Sequence, residues 1–287
     1  MLASIPSPSF NILEIGPLDV HVYGITMALA VGAAYLITTI RYGHFGGDRT
    51  LAERTAFWAA VIGFVGARLA HVSTHLGKFT DDPLAVFRLW EGGIALFGGL
   101  TFGTITAFIV MRRGKGNFLI FADSIAVGLP AAQFLGRIGN YFNQELFGRP
   151  TGLPWGLEID AEHRAFLPEK YRNAETFHPT FLYEMAWNAG IIVFLLWLER
   201  KRNLRRGTLF SLYWILYGFI RFMIELLRID TTFRFWGLSR NGWVSLGVML
   251  GGSLLWWWVY RQPTVRAWDE AAELRAAAEQ EPAPAEE

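Results

Sequence analysis

Apolar residues in this chain gather in blocks of about 18–22, the length an α-helix needs to cross a bilayer core of roughly 30 Å. Seven blocks stand out, at about 20–40, 55–76, 94–111, 118–135, 180–198, 208–227 and 243–260. Backbone polar groups in lipid must be satisfied within the chain, so only helices and closed barrels span. The short alternating segments of a barrel are absent. The expected fold class is all-α: a polytopic integral membrane protein with seven transmembrane helices.

Charge in the short loops sets the expected orientation. The loops after the first, third and fifth blocks carry 3, 3 and 5 Lys/Arg, and Arg261 and Arg266 follow the seventh. The N-terminal segment has none, and the loop after the second block has Lys78 and Arg88. By the positive-inside rule the N-terminus lies outside and the C-terminus in the cytoplasm, as seven spans require. Residues 1–19 hold three prolines and no basic residue, which reads as a loop or surface segment, and no basic n-region marks a cleavable signal. The membrane domain then covers 1–266, with a small extracytoplasmic lobe at about 149–177. The Ala/Glu/Pro-rich tail, 267–287, reads as disordered. No internal repeat points to an inverted-repeat transporter.

The chain has no cysteine, which excludes disulfides, thiolate metal sites and a thiol nucleophile of its own. A net charge of +1, without basic clusters interleaved with aromatics, argues against nucleic acid. His71 and His75 share a helical face, but they have no third ligand or HExxH pattern and Arg68 lies nearby, so no metal is expected. Asp123 reads as a satisfied intramembrane acid.

Two polar groupings interrupt the apolar pattern. Gly136 to Pro150 brings two arginines, two asparagines, a glutamine, a glutamate and three glycines to the end of the fourth block. Ionisable groups at membrane depth are costly and mark working sites. If the helix continues, Arg137 and Asn140 share a face. In the sixth block Tyr217, Arg221, Glu225 and Arg228, spaced four, four and three, fall within about 80° of arc. The alternatives are a polar cap on a span and a structural ion-pair ladder. Guanidinium forks at a bilayer edge suit a phosphate, and the available phosphate there is a lipid headgroup. These residues alone lead to an outward-facing phospholipid site. They leave open a non-catalytic phospholipid-binding or anion-transporting bundle.

The stretch Gly136–Arg149 resembles the signature of the bacterial prolipoprotein diacylglyceryl transferases almost position for position. Further matches are His21 to Gly24, Gly66-Ala67-Arg68, Trp90 to Gly93, His178-Pro179 with Leu182-Tyr183-Glu184, and Tyr217 through Arg228. The resemblance covers about 16–260. It implies transfer of the diacylglyceryl group of phosphatidylglycerol to the lipobox cysteine of prolipoproteins, in the bacterial cytoplasmic (inner) membrane. The products are a thioether and sn-glycerol 1-phosphate, and no cofactor is needed. Catalytic roles are implied for Arg137, Arg221, Glu145 and Tyr23. Phosphatidylglycerol binding is implied for Arg137, Asn140, Gly148, Tyr217, Arg221, Glu225 and Arg68. In two places the chain departs from the pattern. Phe97 stands where many members have a histidine, and Glu91 where Asp is more usual.

Overall fold

The computed structural model describes residues 4–262 apart from 17, 81, 89–91, 202–203 and 230–233. Trp90, Glu91, Arg202, Arg266 and the acidic tail therefore lie outside the described residues. In chain order the elements are β1 (Ile12–Ile15), β2 (Leu18–His21), α1 (Val22–His44), α2 (Arg49–Thr74), α3 (Leu96–Arg113) and α4 (Phe118–Phe142). They continue with β3 (Leu157–Glu158), α5 (Ala161–Arg164), β4 (Thr176–Phe177), α6 (Thr180–Lys201), α7 (Thr208–Leu227), β5 (Arg234–Phe235), β6 (Leu238–Ser239) and α8 (Arg240–Arg261).

Among the described residues, six helices are long and apolar enough to cross a membrane: α1, α2, α4, α6, α7 and α8. The seventh expected span, α3, is not one of them, because it has 18 residues and ends on Arg112 and Arg113. Large apolar side chains such as Leu29, Phe57, Val193, Trp197, Leu250 and Leu254 point outward from these helices. That is the pattern of a bundle solvated by lipid.

Three expected boundaries move. Within the expected loop of 1–19, β1 and β2 pair antiparallel, with Ile12 opposite His21 and Ile15 opposite Leu18. Arg49 and Arg54 lie inside α2, because the Asp48 side chain accepts from Thr50 N at 2.9 Å and starts the helix early. The fourth helix runs on to Phe142, so half of the polar motif is helical.

The chain divides into two compact units. One comprises 37–124. Here α2 and α3 meet through glycines: a Cβ on Gly63 would come within 3.1 Å of Gly99 O, and one on Gly103 within 3.1 Å of Ala59 O. Small residues let the two backbones touch, which is how helices gain packing where lipid supplies no hydrophobic drive.

The other unit comprises residues up to 36 and from 125. Within it α7 packs on α8, where a Cβ on Gly218 would lie 2.9 Å from Ser245 O and one on Gly252 2.9 Å from Ser211 O. The polar connection after α4 folds into a lobe with its own core, built on Phe147, Leu157, Ile159, Leu167, Phe177 and Phe181. Fully burying each phenylalanine contributes about 2–3 kcal/mol. Strands β3 and β4 pair antiparallel, and Ile5 bridges alongside Leu157 in parallel. The segment before β1 thus adds a single bridge at Ile5 to the edge of the lobe's two-stranded sheet. Ser7 Oγ donates to Glu158 O at 3.0 Å and Tyr141 OH to Pro6 O at 2.9 Å, holding it there.

Candidate active site

The helical half of the motif places Arg137 and Asn140 on one face of α4, and Arg137 Nη1 donates to Asn140 Oδ1 at 2.9 Å. After Phe142 the chain turns sharply, with positive φ at Gln144 (47°) and Leu146 (58°). Such angles strain non-glycine residues and persist only where the surroundings fix them. Gln144 supplies the fixing. Its Nε2 donates to Asp160 Oδ2 at 2.5 Å, and its Oε1 accepts from Asp160 N at 2.9 Å. The turn is therefore latched to the lobe. It delivers Glu145 back toward the helix end, where Glu145 Oε1 accepts from Asn140 Nδ2 at 2.8 Å and from Asn143 Nδ2 at 3.3 Å.

Two glycines set the fit of this motif. A Cβ on Gly139 would meet Thr26 Oγ1 at 2.5 Å and Tyr23 Cδ2 at 2.7 Å, so α1 lies directly against α4 and brings Tyr23 to the site. Tyr23 interacts electrostatically with both Glu145 and Arg137. A Cβ on Gly148 would meet Thr180 Cγ2 at 2.9 Å, His178 Cβ at 3.0 Å and Leu227 O at 3.2 Å. Gly148 N donates to His178 O at 2.8 Å, and Arg149 N to Leu227 O at 2.9 Å. The chain thus threads between the start of α6 and the end of α7. Gly148 acts through this close approach.

The hub is Glu184, one turn into α6 and 1% exposed. Its Oε1 accepts from Arg137 Nη2 at 2.8 Å and from Tyr217 OH at 3.3 Å, while Oε2 lies 3.9 Å from Arg221 Nη1. One buried carboxylate therefore gathers two guanidiniums and a phenol from α4 and α7. Arg221 Nη2 is 3.1 Å from Glu225 Oε2, an ion pair whose angle is too poor for a hydrogen bond, so attraction between charges holds it. Glu225 is positioned in turn by Ser239, whose hydroxyl donates to Glu225 Oε1 at 2.6 Å and accepts from Gly242 N at 3.0 Å as the N-cap of α8. Arg228, buried, closes α7 beside the bridge to Gly148.

A guanidinium has five N–H donors. Arg137 uses one on Asn140 and one on Glu184, and its side chain is 19% exposed; that of Arg221 is 16% exposed. Both keep donors and an accessible edge. Their charges are fixed in place by carboxylates, so an anion arriving here meets oriented donors at little reorganisation cost.

Arg68 differs. It belongs to the unit of 37–124, is buried, and uses all five donors on carbonyls. Nε goes to Val86 O, Nη1 to Gly92 O and Gly93 O, and Nη2 to Ala85 O and Arg88 O, at 2.5–3.2 Å. Its observed work is to hold the loop before α3. Phe97 is half-exposed at the start of α3. His71 and His75 are stacked at 4.3 Å, and no group of three His, Asp or Glu among the described residues is arranged to hold a metal.

Helical spacing placed Arg137 with Asn140 and Tyr217 with Arg221 and Glu225, whereas Arg228, expected on the same face, lies just past the end of α7 in extended conformation; Glu184 and Ser239 were not among the expected site residues. The signal for Glu184 was present: an acid within a span needs a partner, and the only nearby cations are arginines at the same depth.

Residues 11–258 match the family described as prolipoprotein diacylglyceryl transferase. The phosphatidylglycerol–prolipoprotein diacylglyceryl transferase 2 of Streptomyces coelicolor is 41% identical over 253 residues, covering 87% of this chain and 79% of the relative. The Cutibacterium acnes enzyme is 41% identical over 255 residues, with 88% and 85% covered. One from Bifidobacterium longum is 39% identical over 273 residues, with 91% and 87% covered.

Proposed function

This chain belongs to the prolipoprotein diacylglyceryl transferase family, and on that premise we propose that it transfers the diacylglyceryl group of phosphatidylglycerol to a prolipoprotein cysteine, with the Arg137–Glu184–Arg221 cluster as its phosphate site. The observation that carries this is the single buried carboxylate holding two partly exposed guanidiniums within reach of one anion.

In the reaction the cysteine sulfur bonds to the terminal glycerol carbon of the diacylglyceryl group while that carbon's bond to the phosphate oxygen breaks. Glycerol phosphate leaves with the electron pair. Charge on the phosphate grows as the bond breaks, so donors fixed by Glu184 and Glu225 stabilise the transition state more than the bound lipid. Asn140 orients Arg137, Tyr217 reaches the same carboxylate with its hydroxyl, and Tyr23 packs against Gly139 beside them. A free thiol has a pKa near 8.5, and the arginine field raises its thiolate fraction. The proton passes to Glu145, both of whose hydrogen bonds fall on Oε1, leaving Oε2 to accept it. Phe97 cannot take a proton, so this assignment does without the histidine found there in many relatives.

The same proposal sets the topology: seven spans with α3 as the third, the N-terminus outside, and the site and lobe at the outer face of the bacterial cytoplasmic membrane. The alternation of basic loops supports it, as does the glycine-lined contact that keeps α3 along α2.

The test is to incubate purified protein with phosphatidylglycerol vesicles and a cysteine-bearing lipobox peptide, following glycerol phosphate and lipidated peptide. Release of both in equal amounts, dependent on the peptide, is expected. Lipid binding without release would point to a non-catalytic bundle.

A further inference from the structure

One helical turn below the ionic layer lies a second, uncharged polar layer. Gln133 is four residues before Arg137 on α4, Asn188 four after Glu184 on α6, and Tyr213 four before Tyr217 on α7. Residues four apart lie on the same face and roughly 6 Å apart along the axis. α4 and α7 run toward the lobe and α6 away from it, so all three offsets go deeper into the bundle. Tyr213 and Tyr217 stack at 5.8 Å, so the layer is continuous with the one above.

Asn188 is the outlier in this layer. It is 0% exposed, yet neither Nδ2 nor Oδ1 has a hydrogen-bond partner among the described residues, and Gln133 Oε1 is likewise unpartnered. Leaving a buried amide unpaired costs about 1–3 kcal/mol per group, and such groups call for an explanation. A structural asparagine between helices would bond its neighbours, as Trp187 does from the adjacent position through Nε1 to Leu216 O at 3.0 Å.

We propose that Asn188 is a substrate-positioning residue whose side-chain amide donates to an ester carbonyl of the glycerolipid while the phosphate is held by Arg137 and Arg221. The geometry fits a phospholipid: with its phosphate at the bilayer edge, its acyl ester carbonyls come next inward, about one helical turn deeper, before the hydrocarbon begins. Ester carbonyls are acceptors without donors, so they need an N–H, which Nδ2 supplies. A hydrogen bond there fixes the glycerol backbone relative to the arginines and so aligns the carbon under attack. The proposal rests on the phosphate assignment above and adds the chemical linkage of the tails as a recognised feature.

The experiment compares diester phosphatidylglycerol with its dialkyl ether analogue, which keeps headgroup and tails but lacks both carbonyls. It uses the full chain and Asn188→Leu, and reads KM, kcat, lipid binding in the absence of peptide, and Tm. Wild-type protein is expected to bind the diester roughly 3- to 10-fold more tightly than the diether, the range of one net hydrogen bond. Asn188→Leu should lose that preference through a raised KM for the diester alone, with Tm unchanged or higher because an apolar group replaces an unpaired amide. Equal binding of diester and diether by wild type would overturn the proposal. So would an Asn188→Leu protein that keeps the preference, or one that melts several degrees lower with the preference intact, which would mark the amide as structural. Absent transfer with the binding preference intact would sink the transferase assignment and leave this subsite standing.

Discussion

Arg68 and Arg137 both sit on apolar helices and both were expected to bind phospholipid, yet Arg68 is buried, Arg137 is only partly so, and they are partnered in opposite ways. Arg68 gives five donors to five backbone carbonyls of one loop. Arg137 gives one donor to an amide and one to a shared carboxylate, and keeps an exposed edge. The first is a clamp, whose charge is dispersed over dipoles and whose donors are all in use. The second has its charge fixed from behind by a carboxylate and keeps a partly exposed edge in front. A guanidinium in a membrane protein is therefore not a phosphate site by its presence. What matters is how many donors remain once the fold is satisfied.

The largest effect that would break this contrast is on turnover. Arg137→Lys and Arg221→Lys should each lower kcat/KM by 100-fold or more, about 3 kcal/mol of transition-state stabilisation, with Tm nearly unchanged. Lysine keeps the charge but not the fork. Arg68→Lys should do the reverse: a marked fall in thermal stability, because several loop carbonyls lose donors at about 1–3 kcal/mol per buried group, and near-normal kcat for the protein that remains folded. Parallel kinetics and melting curves on the three variants check both arms.

Glu184 sharpens the contrast, since it makes Arg137 and Arg221 one unit. Glu184→Ala should destabilise by about 2–3 kcal/mol, because two partly exposed guanidiniums lose the carboxylate they share. Glu184→Gln should keep the fold better and lower turnover by roughly tenfold or more. A double-mutant cycle of Glu184→Gln with Arg221→Lys should be strongly non-additive.

Gly148→Ala comes next. The added methyl meets Thr180, His178 and the Leu227 carbonyl at 2.9–3.2 Å, which predicts about 1–3 kcal/mol of destabilisation and displacement of Glu145 with the turn. Loss of activity here should exceed that of a matched Gly152→Ala, where a Cβ meets nothing within 4 Å. The smallest effect is Ser239→Ala, about 1 kcal/mol for the lost cap, with a few-fold loss of kcat as Glu225 loosens.

The sequence carried the architecture because lipid leaves a chain few options: apolar blocks located the six helices that are long and apolar enough to span, and Thr208–Leu227 coincided with its block. Helical spacing also placed Tyr217, Arg221 and Glu225 on one face, and Arg137 with Asn140. Other features depended on contacts far along the chain. That Arg68 is fully engaged is decided by the carbonyls of Ala85, Val86, Arg88, Gly92 and Gly93, and periodicity within α2 cannot show that. That Gly148 is a packing glycine depends on α6 and α7 converging on it. Strands β1 and β2 and the bridge at Ile5 carry no strong alternation; β1 and β2 are revealed by their pairing with each other, and Ile5 by its bridge to Leu157.

The most direct test of the central claim is single-turnover release of glycerol phosphate by purified Arg137→Lys protein, saturated with phosphatidylglycerol and lipobox peptide. A folded, lipid-loaded enzyme whose release step is slowed by 100-fold or more is expected. Release at close to the wild-type rate would contradict it, and would mean that the phosphate is held elsewhere.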